Sequence, residues 1–252
     1  MKKNQMLQFS SMLNQALDVV VFTGAGMSTE SGIPDFRGPQ GVWKTQQPID
    51  FRDFIASEDV RRASWQRKFS NEYSMDSAQP NSGHQAIAEL VKIGKVSTII
   101  TQNVDGLHQK SGVPDGQVIE IHGNANYASC LDCNMRYELE ALAREFRVDE
   151  KVPYCTACEG MIKTATISFG QAMPLKAMED AQQACLRADL MLVLGSSLSV
   201  YPAAGLPQIA RQSGANLVLI NNEATDLDEI FNLVIQHPIG KTLDTVLNLL
   251  LH

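Results

Sequence analysis

Short apolar runs alternate along this chain with segments in which apolar residues recur at every third or fourth position. The runs at 19–22, 96–100, 118–121, 190–194, 217–220 and 233–235 are rich in Val, Ile and Leu and too short for helices, so they predict buried strands. Helical spacing covers 5–17, where Met6, Leu7, Phe9, Met12, Leu13 and Leu17 fall together, and it returns at Ile87, Leu90 and Val91 after a turn over Pro80-Asn81-Ser82-Gly83-His84 that holds a helix cap. Further helices are expected from Glu138 to Phe146 and over 175–187, 203–212 and 239–250. Strands joined by helices predict an α/β chain with a largely parallel sheet covered on both faces. The stretch 49–72 mixes aromatics and charges (Phe51, Phe54, Trp65, Phe69, then Tyr73) and reads as short helices with loops, its Arg61-Arg62 and Arg67-Lys68 a solvated face.

Polar residues mass just beyond the strand ends, where open α/β sheets hold ligands. The first strand runs into Thr23-Gly24-Ala25-Gly26, whose glycines let backbone N–H groups approach an anion, and then into a loop carrying Asp35, Phe36 and Arg37. Position 29 is Thr, so the G-x-G-x-x-G dinucleotide fingerprint fails and any dinucleotide must use a variant turn. The second strand ends in Thr101-Gln102-Asn103-Val104-Asp105-Gly106-Leu107-His108, and the third in His122-Gly123-Asn124. Gly195-Ser196-Ser197-Leu198 and Asn221-Asn222-Glu223 follow later strands, with hydroxyls suited to phosphate or ribose oxygens. His84 and His108 read as structural.

Composition narrows the class. With 44% apolar and 19% charged residues the chain is globular, and its net charge of −7 argues against a general nucleic-acid binder. No stretch of about 18 apolar residues occurs, and the N-terminus has no apolar core of a leader, so a cytoplasmic protein away from the membrane is expected. The cysteines add a separate element. Cys130-x-x-Cys133 and Cys155-x-x-Cys158, with 134–154 between them, are two knuckles that fit a tetrahedral zinc ion. Four thiolates leave no open position, so the metal is expected to be structural, in a small module over 124–162. Cys185 reads as a packing residue.

Taken in order, Gly24-Ala25-Gly26-Met27-Ser28, Gly32-Ile33-Pro34-Asp35-Phe36-Arg37-Gly38, Thr101-Gln102-Asn103-Val104-Asp105, His122-Gly123, the paired knuckles and Gly195-Ser196-Ser197-Leu198 resemble the sirtuins, the NAD-dependent protein deacylases. The resemblance runs from about residue 5 to residue 250, and the run Gly38-Pro39-Gln40-Gly41-Val42-Trp43 looks most like the bacterial deacetylases. It implies a Rossmann-like large domain (1–123 and 163–252) with an inserted zinc-binding domain (124–162) and helical cover from about 38–80. NAD and an acyl-lysine peptide would share the cleft between them. The implied reaction moves the lysine's acyl group to ADP-ribose, giving nicotinamide and 2′-O-acyl-ADP-ribose.

Carried over by residue, His122 matches the general base on the ribose. Asn103 and Asp105 match contacts to the ribose and the nicotinamide amide, and Gln102 a ribose contact. Phe36 matches a ring over the nicotinamide pocket, and Ala25, Thr29 and Arg37 match opening-loop contacts to the cofactor. Ser196, Ser197 and Asn221 match its phosphate and adenosine side. Gly24, Gly26, Asp35, Val104, Gly195, Asn222 and Ile239 complete the expected cofactor shell. The expected partner is an acetylated protein or peptide lysine, bound by a monomeric enzyme without nucleic acid.

Succinyl- and malonyl-preferring members pair a Tyr and an Arg where this chain has Lys68 and Asn71, so acetyl is the expected acyl group. Ser168 stands where the family has a bulky ring, and Gln171 where it has a Glu, which bears on substrate range. The competing readings are a mono-ADP-ribosyltransferase or NAD glycohydrolase, a deacylase of longer acyl chains, a nicotinamide oxidoreductase and a non-catalytic NAD sensor.

Overall fold

A computed structural model describes residues 3–36, 38, 41–70, 75 and 77–251. Its centre is a six-stranded sheet in the order β3-β2-β1-β7-β8-β9, all parallel. These strands are β1 (Val19–Thr23), β2 (Val96–Thr101), β3 (Val118–Glu120), β7 (Leu190–Leu194), β8 (Asn216–Asn221) and β9 (Leu233–Gln236). Counted within this sheet alone the order is 3-2-1-4-5-6, the doubly wound Rossmann arrangement. Each run expected to be a strand is one, although β3 at the sheet's edge is only half-buried.

Strand geometry sends alternate side chains to opposite faces, and β1 from Val19 to Phe22 and β7 throughout are apolar at every position, so both faces need cover. Val19 and Val21 of β1 face one layer together with Leu190, Leu192 and Leu194 of β7. That layer is closed by α1 (Lys3–Gln15), α4 (Ser82–Lys92) and α9 (Ile239–Leu251) through Phe9, Leu13, Ile87, Leu90 and Leu243. Val20, Phe22, Met191 and Val193 face the other layer, under α7 (Leu175–Arg187) and α8 (Leu206–Gln212). Cys185 sits in that second layer, where burial pushes its thiol up to about 12 and leaves it an inert packing group.

Between β3 and β7 the chain departs from this plan. There β4 (Gly123–Cys130), β5 (Arg136–Glu138) and β6 (Ile162–Thr166) form a three-stranded antiparallel sheet in the order β5-β4-β6, with α6 (Leu139–Asp149) packed on it. This insert has its own small core of Ala128, Cys130, Leu142, Phe146, Val152, Cys155 and Ile162. The stretch read as short helices forms α2 (Phe51–Ala56) and α3 (Glu58–Phe69), and Trp65 of α3 completes the insert's core. The Trp65 and Phe69 rings stack at 5.3 Å, and Phe69 meets Phe146 at 5.6 Å.

One expectation fails here. Arg61 is buried and not part of a solvated face; its guanidinium donates to Phe54 O and Ile55 O at 3.0 and 2.9 Å and to Tyr154 Oη at 3.3 Å. It closes the carbonyl end of α2, where a fixed cation suits both the unpaired C=O groups and the helix dipole.

Candidate functional site

The strand order reverses between β1 and β7, and ligands of doubly wound sheets bind in the crevice beyond such a switch point. Here the turns leaving β1 and β7 meet backbone to backbone. A Cβ on Gly24 would lie 2.7 Å from Gly195 O and 2.8 Å from Ser196 Cα, so no larger residue fits. Gly195 has φ +63°, and its own Cβ would strike Met27 N. Gly26 N donates to Gly195 O at 2.8 Å, tying the turns together.

A cleft of about 1160 Å³ opens over this junction and runs toward the insert. Gly24, Ala25, Thr29, Asp35 and Phe36 line it from the β1 side, Gln102, Asn103, Val104 and His122 from the ends of β2 and β3, and Gly195, Ser196, Ser197, Asn221 and Asn222 from β7 and β8. Three expected cofactor residues lie elsewhere. Gly26 sits against Gly195, Asp105 is buried behind the wall, and Ile239 packs into the core at the start of α9. Arg37, Asn71 and Tyr73 lie outside the described residues.

Behind the wall a polar network fixes the loop after β2. Asn103 Nδ2 donates to Gly24 O at 3.0 Å and to Ser28 Oγ at 3.1 Å, and Ser28 Oγ donates to Asp105 Oδ2 at 2.7 Å. Asp105 Oδ1 accepts Leu107 N at 2.9 Å, at the start of α5 (Leu107–Lys110). Gln102 Nε2 donates to Ser196 Oγ at 2.8 Å, bridging the loops after β2 and β7. Burial makes an unsatisfied polar group costly, so this closed set of bonds holds the loops in one arrangement.

His122 follows β3 and faces the cleft. Its Nδ1 lies 3.1 Å from Gln102 O, and a carbonyl only accepts, so Nδ1 carries the proton and Nε2 holds a bare lone pair. Burial pushes its pKa below the usual 6.5, partly offset by that carbonyl, so the ring is neutral at pH 7. The ring is thus a preset proton acceptor. Its backbone is pinned as well, His122 O accepting Ile167 N at 2.8 Å from the segment after β6.

Two aromatic side chains that the sequence reading left out of the site complete the insert-side wall. Trp43 lies 5.1 Å from Phe36 and 5.1 Å from Phe169, ring centre to ring centre, and all three line the cleft. Phe51 N donates to Phe169 O at 2.8 Å, anchoring that ring's segment to α2. Lys163 was also missed. It is buried beside the cleft, gives its ammonium to Thr166 O at 2.6 Å, and burial lowers its pKa to about 8. Lone aromatics and a lysine in unrelated segments carry no spacing signal, so only the tertiary structure brings them in.

The cysteines meet as the spacing predicts. The Sγ atoms of Cys130, Cys133, Cys155 and Cys158 all lie within 4.8 Å of one another, with Cys130–Cys158 and Cys133–Cys155 at 3.5 Å. Disulfide sulfurs would be about 2 Å apart, whereas a tetrahedron of about 2.3 Å Zn–S bonds sets them near 3.8 Å. Asp132 N and Ala157 N each point at a sulfur from 3.4 Å, donors that suit thiolates. The donor set fits zinc with every position filled.

A doubly wound sheet with a polar cleft at its switch point and a closed four-thiolate module beside it defines an α/β nucleotide-site protein. Comparison with known proteins narrows this. The model of the Sir2 family matches residues 24–202. The chain is 50% identical over 236 residues to the NAD-dependent protein deacetylase of Rhodopseudomonas palustris, covering 94% of this chain and 93% of that one. A Sir2 enzyme solved with a p53 peptide and NAD+ is similar at TM-score 0.86 and 36% identity, over 98% of both chains. A Sir2 variant solved with a deacetylated p53 peptide and 3′-O-acetyl ADP ribose is similar at TM-score 0.87 and 36% identity, over 97% of this chain and 98% of that one. The chain belongs to the Sir2 family.

Proposed function

We propose that this chain is an NAD-dependent protein-lysine deacetylase, which moves the acyl group of a modified lysine to ADP-ribose and releases nicotinamide. The observation that carries the reading is the fixed tautomer of His122, a neutral base opening onto a cleft that the turns after β1, β2, β7 and β8 share. NAD, when bound, supplies a ribose carbon that becomes electrophilic as nicotinamide leaves.

The chain's residues do the rest. His122 Nε2 takes the proton of a ribose hydroxyl as that oxygen attacks the acyl carbon, and Gln102 O steadies the resulting imidazolium through Nδ1. Asn103 is assigned the ribose and the nicotinamide amide and Gln102 the ribose, while Asp105, behind the wall, holds this loop through Ser28 and Leu107. Gly24, Ala25, Thr29, Asp35 and Arg37 are assigned the cofactor's opening-loop contacts and Val104 a further one, while Gly26 shapes the turn against Gly195 and Ile239 packs in the core. Gly195, Ser196, Ser197, Asn221 and Asn222 take the phosphate and adenosine end. The rings of Phe36, Trp43 and Phe169 exclude water from the reacting end, which strengthens every dipole aimed at it. Cys130, Cys133, Cys155 and Cys158 hold zinc for folding, outside the chemistry.

The same proposal places residues 1–123 and 163–252 in the NAD-binding unit, 124–162 in the zinc module and about 38–80 as cover. The substrate is an acetylated lysine in the interdomain cleft, in a monomeric cytoplasmic enzyme with no nucleic-acid partner. No described helix is long and apolar enough to cross a membrane. The peptide is read by backbone pairing in the cleft, a mode that specifies little of its side-chain sequence. Acyl choice falls on acetyl. Lys68 and Ser168 line the cleft, and Gln171 Oε1 accepts Ser168 N at 3.1 Å, so no carboxylate stands at that position.

Mass spectrometry of the NAD products with acetyl, propionyl, butyryl and succinyl peptides tests the reading. The acetyl peptide should give deacetylated peptide and acyl-ADP-ribose in equal amounts, and His122→Ala should cut turnover about 10³-fold. Because burial lowers the His122 pKa, the acid limb of kcat/KM should fall below pH 6.5. NAD consumed to give ADP-ribosylated protein, with no acyl-ADP-ribose, would replace the deacetylase with a mono-ADP-ribosyltransferase.

A further inference from the structure

Two histidines lie behind the network and touch none of the cleft. His84 is fully buried at the start of α4 and His108 is 2% exposed on α5, with their ring centres 5.0 Å apart. Each has one nitrogen in a hydrogen bond, and among the described residues His84 Nε2 and His108 Nδ1 have no partner.

The bonds that do form decide where the protons are. Asn81 N donates to His84 Nδ1 at 3.4 Å, so the His84 proton sits on Nε2. Thr23 and Thr101 are paired across β1 and β2, and Thr23 Oγ1 donates to Thr101 Oγ1 at 2.8 Å. Asn103 N donates to that same Thr101 oxygen at 3.0 Å. Thr23 has then spent its only proton and offers lone pairs alone to His108 Nε2, 3.0 Å away. His108 must therefore donate from Nε2, which leaves its Nδ1 a bare acceptor on a ring 5.0 Å from that of His84.

The two rings thus end two chains of hydrogen bonds, one for each ligand-bearing loop. From His108 the chain runs through Thr23 and Thr101 to the amide of Asn103. From His84 it runs to Asn81, whose Nδ2 donates to Met27 O at 2.9 Å and Ser31 Oγ at 3.0 Å in the loop after β1. We propose that His108 is a positioning residue for acyl transfer: a neutral imidazole whose Nε2–H turns the Thr23 hydroxyl onto Thr101 Oγ1, the oxygen that also accepts Asn103 N, and so fixes the Asn103 amide and aims its carboxamide at Gly24 and Ser28. Burial lowers the His108 pKa to about 3 and that of His84 to about 4, which keeps both rings in the required form.

The proposal rests on the deacetylase reading for its kinetic consequence but not for its structural one. Three substitutions test it. His108→Leu removes the donor and keeps bulk, His108→Gln returns an N–H at similar reach, and Thr101→Val removes the relay without changing shape. The readouts are amide hydrogen exchange over 101–105, the unfolding midpoint, and kcat and KM for NAD with an acetyl-lysine peptide.

His108→Leu and Thr101→Val should speed exchange at Asn103 and lower kcat about tenfold, the cost of one buried hydrogen bond in the reacting arrangement. His108→Gln should recover most of both. Folded Leu and Val variants with wild-type exchange and kcat would overturn the proposal, as would a Gln variant that falls as far as Leu. If His108→Leu does not fold, Thr101→Val decides alone. A wild-type enzyme that ignores acetyl peptides would sink the deacetylase reading, while the exchange rates would still decide this one.

Discussion

In the six-stranded sheet, every residue of β1 and β7 is shut away from solvent, and helices cover both faces. In the three-stranded insert, Arg136 and Glu138 of β5 stand exposed and pair mainly with each other, and a small core backs the sheet on one side. The first region is stabilised by apolar burial spread over many side chains. The second is too small for that, and four sulfurs from two knuckles replace the missing core. A chain can therefore carry a rigid frame for the reacting groups and, beside it, a module whose order depends on one ion.

The sharpest way to break this comparison is to remove the metal. A strong chelator should strip zinc and raise amide exchange throughout 123–166, since structural zinc sites contribute on the order of 10 kcal/mol to folding. Exchange at 190–194 should stay slow. Loss of order in both regions at once would show that they are one cooperative unit. A core substitution makes the converse test. Leu192→Ala, at a fully buried position in β7, should lower stability by about 3 kcal/mol in chemical denaturation and leave zinc content unchanged.

Acid should also act on the frame through its buried imidazoles. The folded pKa values of His84 and His108 lie below 6.5 through burial, with the Asp105 charge opposing the shift at His84 and the His84 ring adding to it at His108. The unfolded chain then binds protons first as pH falls. Stability should decline from pH 6.5 toward about 4, by about 1.4 kcal/mol per pH unit for each proton taken up. His108→Gln should flatten that slope. The smallest effect belongs to the surface. Lys176 and Asp180 form an exposed pair at 2.6 Å on α7, and Lys176→Ala should leave the unfolding midpoint where it was.

The frame was far more legible in the chain than the insert. Continuous apolar runs such as Leu190 to Leu194 admit little except a buried parallel strand, and the knuckle spacing names its ligand. The strand β4 is hard to read because its buried apolar residues, Ala125, Ala128 and Cys130, are small and its polar–apolar alternation changes phase between Tyr127 and Ala128. Arg61 was misjudged because a charge beside Arg62 reads as solvent-facing until the end of α2 is seen to need a donor. Much of the site was legible as polar residues after strands. The partners of His108 were not, because β1 and β2 bring Thr23 and Thr101 side by side only through their pairing register. The same holds for Trp43 and Phe169, whose rings meet from segments distant in the chain.

The contact between the turns at Gly24 and Gly195 has a consequence for how the enzyme is made. Gly24 and Gly195 stand on either side of the insert in the chain, so the two halves of this junction meet only after the insert has been made. A chain that stops before Gly195 lacks one of the two turns over which the cleft opens. Any stabilisation that a bound ligand gives through this cleft therefore reaches only chains that extend past Gly195.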